Sequence, residues 1–373
     1  MKFNGDTFKI LQLADVQDTQ RTSQDTLNFM RALLGSEKPD LVILTGDQVK
    51  GYGLALGIGD KKKNTETTIR NILAPITERN IPFTFTYGNH DRSDEASLEF
   101  QTSVYESYSS CVNKDAFARY KGTDCMCFPI YAEDGRTPVF AVYAINDCHQ
   151  VEGKYHGVTE EQIQWCKDTA EALAAENGGE KVPTIVFEHI PVYEMYEILK
   201  EVPKNTPGAL EGNRTHRGKY YVITDEMAAR GEYMRENIAC FGGGSKQFDG
   251  WCEQGNIVAA YFGHDHINTF TGKLRGIELG YTPGAGFNIY GPGLDRAARV
   301  FEFDESGSYT TRLVTYRDLL GKKVKEPLKL FMYEHSPSST DDLKRKLKKC
   351  APYAAATAAV IAAAVILKKR RGK

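Results

Sequence analysis

Five short apolar runs each end abruptly in a cluster of Asp, Asn or His, and that recurrence limits the fold more than any other feature of the chain. Phe8–Ala14 stops at Asp15-Val16-Gln17, Leu41–Leu44 at Thr45-Gly46-Asp47, and Pro82–Tyr87 at Gly88-Asn89-His90-Asp91. Thr184–Phe187 stops at Glu188-His189-Ile190-Pro191, and Ile257–Phe262 at Gly263-His264-Asp265-His266. Runs this short and this apolar fit strands buried on both faces. Helical patterns over Ser23–Leu34 and Thr65–Glu78 separate the first three. The order β-α-β-α-β predicts a mostly parallel sheet covered by helices. In such sheets ligands bind beyond the carboxyl ends of the strands, so five strand ends aim their polar residues at one crevice.

The rest of the chain extends this α/β reading. Pro138–Ile145 reads as a further strand, and a helix over Thr159–Ala175 opens with Thr159 as cap and Gln162 three residues on. Beyond Gly263 the texture changes to strands separated by glycine: Asn268–Leu274, Ile277–Tyr281, Arg299–Phe303 and Tyr309–Tyr316, an antiparallel half. Val202–Gly255, rich in Gly, Arg and Lys, reads as an insertion over one end of the sheet. The expected layout is one domain over 1–318 with that insertion at about 202–255, a polar basic linker over 319–350, and an Ala-rich apolar helix with a basic end over 351–373.

Charge narrows the function. The formal net charge is −2, but residues 322–373 hold fourteen Lys/Arg against four Asp/Glu, leaving the body at −12. An acidic body argues against a nucleic-acid surface. The eight cysteines follow no disulfide or zinc-knuckle spacing and read as packed thiols, and the N-terminus carries no apolar leader. Both point to a cytoplasmic body. In the tail, Ala351–Leu367 has no charge in seventeen residues and lies between Lys344–Lys349 and Lys368–Arg371. As a helix it would run about 25 Å, a little short of a bilayer core. Its expected role is membrane contact or anchoring, with basic flanks drawn to anionic headgroups.

The strand-end residues are hard and borderline ligands suited to Mn²⁺, Fe²⁺ or Zn²⁺, with no cysteine among them. Their ordered set, D-x-Q, G-D, G-N-H-D, H and G-H-x-H over residues 15–266, resembles the calcineurin-like metallophosphoesterase superfamily, nearest its Dcr2-like and purple-acid-phosphatase-like branch. The resemblance implies a four-layer αββα sandwich with mixed sheets and two divalent metal ions. Asp15, Asp47 and His266 would hold the first metal, with Asp47 bridging; Asn89, His189 and His264 would complete the second. His90 would touch the phosphate or its leaving group, and Asp91 would act beside it in catalysis or by orienting the loop. The implied function is phosphoester hydrolysis, on monoesters or small diesters, by a hydroxide bridging the two metals. The substrate would be a phosphorylated small molecule or protein.

The chain departs from that pattern at Gln17, where the family has His. An amide oxygen ligates a divalent cation more weakly than imidazole does, so the first metal should be looser, or completed by water or Asp18. A catalytically weakened phosphate-binding protein of the same fold is the alternative that follows, and a nuclease the other. Lys50 stands where a purple acid phosphatase has its tyrosine ligand, which argues against an Fe(III)-tyrosinate centre. Candidate substrate contacts are Arg214, His216, Arg217 and Lys219 in the insertion, a Gly242–Lys246 lip, and Trp251 and Tyr290 as stacking rings.

Overall fold

The computed structural model describes residues 1–348 apart from 58, 94, 152–153 and 242–245. It opens with the expected alternation: β1 (Thr7–Leu13), α1 (Gln24–Glu37), β2 (Leu41–Thr45), α2 (Lys61–Thr77), β3 (Phe83–Thr86) and α3 (Leu98–Tyr105). There follow β4 (Ala118–Tyr120), β5 (Cys125–Tyr131), β6 (Pro138–Ile145), the short β7 (Gln150–Val151) and β8 (Lys154–Tyr155), α4 (Glu160–Glu176) and β9 (Thr184–Phe187). The inserted region forms a small sheet of β10 (Lys200–Val202), β11 (Leu210–Glu211) and β12 (Tyr220–Val222), then α5 (Asp225–Ala229) and α6 (Lys246–Gln254). Last come β13 (Ile257–Phe262), β14 (Thr271–Leu274), β15 (Ile277–Tyr281), β16 (Ala297–Asp304), β17 (Tyr309–Thr315), α7 (Tyr316–Leu320) and α8 (Pro327–His335).

Two sheets dominate, one ordered β17-β16-β1-β2-β3 and the other β14-β15-β13-β9-β6-β5-β4. In the first, β1, β2 and β3 run parallel; in the second, β6, β9, β13 and β15 do. The period-2 alternation of each strand explains how both faces are filled. Phe8 and Ile10 of β1 pack with Phe128, Val142, Ile185 and Tyr261 between the sheets. Leu11 and Leu13 of the same strand face outward onto Phe29 and Leu33 of α1, in a layer shared with Ile69 and Leu73 of α2. On the other outer face, Tyr143, Val186 and Ala260 lie beneath Trp165 and Leu173 of α4 and Trp251 of α6. The result is the four-layer αββα sandwich with mixed sheets. Capping fixes where α4 starts: Thr159 and Gln162 form a capping box.

Three expectations meet a different outcome. The half after Gly263 is mixed rather than antiparallel, because β15 pairs in parallel with β13. β5 was not among the expected strands; here β4 pairs only with Cys125–Cys127, which leaves Pro129 bonded to a single neighbour, β6. The compact unit runs Met1–Glu334, so the boundary expected at 318 falls inside it. Asp25 accepts the backbone N–H groups of Lys325 and Glu326, each at 2.8 Å, and so ties this segment to α1. Of the second unit, 340–348 is helical, with the Asp342 side chain accepting from Ser338 N–H. Among the described residues no helix is long and apolar enough to cross a membrane. The Ala351–Leu367 stretch and most of the 242–246 lip lie outside the described residues.

Candidate metal centre

The strand ends converge. Backbone bonds stitch their loops side by side: Asp15 N–H donates to the Gly46 carbonyl, Gln17 N–H to Asp47, and Gly263 N–H to His189. Four site residues carry left-handed backbone: Asp15 (φ 51°), Gln17 (39°), Asp47 (52°) and His264 (68°). Non-glycine residues seldom adopt that conformation, and when they do they cluster where surrounding structure imposes it for function. Two neighbouring glycines are explained by close approach. A Cβ on Gly88 would lie 2.1 Å from Asp47 Oδ1, and one on Gly263 would lie 2.6 Å from Asp15 Oδ2.

Each aspartate has one oxygen anchored and one presented. Asp15 Oδ2 accepts from His264 N–H at 2.8 Å, and its Oδ1 lies 3.2 Å from His266 Nε2. Asp47 Oδ1 accepts from His90 N–H at 2.7 Å; its Oδ2 accepts from Gln17 Nε2 at 2.8 Å and lies 3.4 Å from His189 Nε2. His189 donates from Nδ1 to the Thr45 carbonyl, and His266 from Nδ1 to the Tyr290 carbonyl, each at 3.0 Å. Such carbonyl bonds fix the tautomer and turn Nε2 inward, as in metal-ligating histidines. Asn89 Oδ1 is 3.1 Å and His264 Nδ1 3.3 Å from His189 Nε2. The seven residues Asp15, Gln17, Asp47, Asn89, His189, His264 and His266 thus form one connected cluster.

The cluster suits cations. Ligand atoms of Asp15, Asp47 and His189, all three residues buried, lie within 4.8 Å of one another. Gln17 Oε1 is buried with no hydrogen-bond partner, and Asp15 Oδ1 faces only His266 Nε2; an unmet buried oxygen costs free energy unless something positive completes it. Electrostatics agree. Burial opposes charge on both, yet His189 and His90 hold Asp47 well below the usual carboxylate range, and Asp47, with Asp15 and Asp147, lifts His189 to about 10. Protonated His189 stands where positive charge is wanted. His264 is pushed well below its ordinary value by burial and by His189.

Two acidic residues take supporting parts. Asp91 is buried, and its carboxylate accepts the N–H groups of Asp47 (2.7 Å), Gly88 (2.8 Å) and Val49 (2.8 Å). Burial and the Asp47 charge raise it to about 7. Its contacts make it a positioning residue for the 46–49 and 88–91 turns. Asp18, the fallback ligand for the first metal, is instead engaged by Thr19, Ser23, Thr26 and Asn288 at the start of α1. Lys50, at the position of the family's tyrosine, donates to the Asn288 carbonyl at 3.0 Å.

Of the expected substrate contacts, His216 is buried against Tyr193, Tyr196 and Tyr221, and Trp251 packs on Phe248. Tyr290 stacks on His266 at 4.2 Å and donates its hydroxyl to Glu236 at 2.6 Å, so it steadies a site histidine. Glu236 and the Thr45 carbonyl are supports that the sequence did not reveal. A backbone acceptor has no residue signature, and Glu236 lies inside a segment with no strand pattern.

The Asp/Asn/His cluster at the strand ends of the two sheets has the donor set of a metal centre. The chain belongs to the calcineurin-like phosphoesterase family, whose sequence profile matches residues 8–268. It is 27% identical to the Arabidopsis thaliana protein "Probable inactive purple acid phosphatase 28" over 81% of this chain and 77% of that one. It is also 24% identical to "Phosphatase DCR2" of Saccharomyces cerevisiae, over 70% of this chain and 44% of that one. Among solved structures it is similar to a dimetal phosphatase from Danio rerio, at 13% identity and TM-score 0.47 over 84% of this chain and 100% of that one.

Proposed function

We propose that the chain hydrolyses phosphoesters, monoesters or small diesters of a phosphorylated small molecule or protein, with two divalent cations (Mn²⁺, Fe²⁺ or Zn²⁺) held by the cluster. The carrying observation is the buried set Asp15, Asp47 and His189, with ligand atoms within 4.8 Å and the unpartnered Gln17 Oε1 beside it. Asp15, Gln17, Asp47 and His266 would hold one ion; Asp47, Asn89, His189 and His264 would hold the other. Bound there, the ions supply charge neutralisation for the phosphoryl oxygens and a water acidic enough to ionise near neutral pH.

The chain's own residues do the rest. The Thr45 and Tyr290 carbonyls and Asp91 lock ligand orientation before substrate arrives, so little reorganisation accompanies reaction. His90 is anchored through its own N–H to Asp47, and burial lowers its imidazole below the ordinary value. Its ring N–H would hydrogen-bond to the ester oxygen as the phosphorus–oxygen bond breaks; the attacking water supplies the new oxygen on phosphorus and the proton that leaves with the alcohol.

Gln17 favours a second reading, a weakened phosphate-binding protein, because its amide already donates to Asp47. Turnover separates the two. Wild-type protein in Mn²⁺ is expected to hydrolyse p-nitrophenyl phosphate, and Asp47→Asn to abolish it. Phosphate binding without wild-type turnover would favour the weakened form.

A further inference from the structure

At the mouth of the site lies an aromatic ring that the hydrolysis above does not use. Lys50-Gly51-Tyr52 runs alongside the 88–92 turn, where Gly51 N–H donates to the His90 carbonyl at 3.0 Å. The approach is close: a Cβ on Gly51 would lie 2.5 Å from the His90 carbonyl oxygen and 2.9 Å from that of Arg92. This places the Tyr52 ring on the His90 imidazole, with centroids 4.5 Å apart and planes at 50°. Tyr52 is nevertheless 39% exposed, and Leu54, two residues on, is 79% exposed. Among the described residues, Tyr52 is the one large exposed hydrophobic side chain in ring contact with a site residue. Lys50 Nζ, which donates to the Asn288 carbonyl, lies 5.7 Å from the Tyr52 ring centroid and 5.2 Å from that of Tyr333.

An aromatic surface left open beside the residue assigned to the leaving oxygen is a surface for the leaving group itself. We propose that Tyr52 is a specificity-determining residue, and that the preferred substrates are phosphoesters of an aromatic alcohol whose ring stacks on Tyr52 with Leu54 along its edge. The inference rests on the hydrolase reading and deepens it. Aromatic pairs prefer offset or tilted stacking, and one such contact changes affinity roughly three- to tenfold.

The test uses the full chain loaded with Mn²⁺ and two esters, 2-naphthyl phosphate and propyl phosphate. Tyr52→Ala is expected to lower the naphthyl-to-propyl ratio of kcat/KM roughly three- to tenfold, through KM, while Tyr52→Phe keeps the ratio. An equal loss of kcat on both esters would show that Tyr52 only positions His90 and would overturn the proposal. So would an unchanged ratio. Calorimetry with 2-naphthylmethylphosphonate and propylphosphonate, which cannot be hydrolysed, reads the same preference without turnover. Tyr52-dependent naphthyl preference in an inactive wild type would sink the hydrolase reading, and with it the substrate preference, while keeping Tyr52 as the contact that selects an aromatic phosphoryl ligand; no preference there would sink this one.

Discussion

Gln17 is the side chain on which the proposed metal centre turns. Its Nε2 donates to the oxygen of Asp47 that would bridge two cations, while its Oε1 lies buried without a partner. The proposed first position would therefore offer mostly oxygen ligands, the second an additional imidazole. Replacing Gln17 by His adds a nitrogen ligand where the amide stands. We expect Gln17→His to bind Zn²⁺ about tenfold more tightly at the weaker step of a calorimetric titration. An unchanged isotherm would place Gln17 outside the ligand set. His189 carries a prediction for the metal-free chain. Its pKa rises from 6.5 to about 10 in the fold, so its contribution is full below 6.5 and is lost as pH climbs through 10. After chelation, stability should fall as pH rises from 7 to 10, and the fall should be shallower in His189→Asn; parallel curves would refute the assignment.

At the scale of elements, the strands were legible where sequence alone decides them. β6, β9, β13 and β15 have the expected bounds, the first three because each is a short apolar run closed by Gly, Pro or polar residues, and β15 because its residues alternate between turns. β5 was not, since its Pro129 is tolerated only through an absence of pairing partners that no local pattern encodes. The candidate ligands were legible because they follow strands directly; their carbonyl supports were not, because any residue can supply a carbonyl. The segment before α8 was read as linker for the same reason: Asp25 holds it through backbone N–H groups 300 positions away. Asp25→Ala is expected to cost about 2–4 kcal/mol and to open Lys322, Lys323 and Lys325 to trypsin. Wild-type cleavage rates at these lysines would mean the tie contributes nothing.

For the whole molecule, the cluster is also a joint. Asp15, Asp47 and Asn89 extend from one sheet, His189, His264 and His266 from the other, and apolar packing between the sheets does the rest. Cations there would bind the folded chain alone, so adding Mn²⁺ at a hundred times its dissociation constant should stabilise the fold by about 2.7 kcal/mol. A chelator titration followed by calorimetry reads this directly, and a Tm indifferent to chelation would mean that no cation spans the two sheets. The left-handed backbone at Asp15, Gln17, Asp47 and His264 adds a last consequence. Glycine adopts that conformation without steric cost, so at Gln17 and His264, whose side chains accept no backbone N–H, cellular abundance and turnover should rank variants in opposite orders. A selection scored on yield alone would favour glycine at both, and would enrich for well-expressed chains that have lost their chemistry.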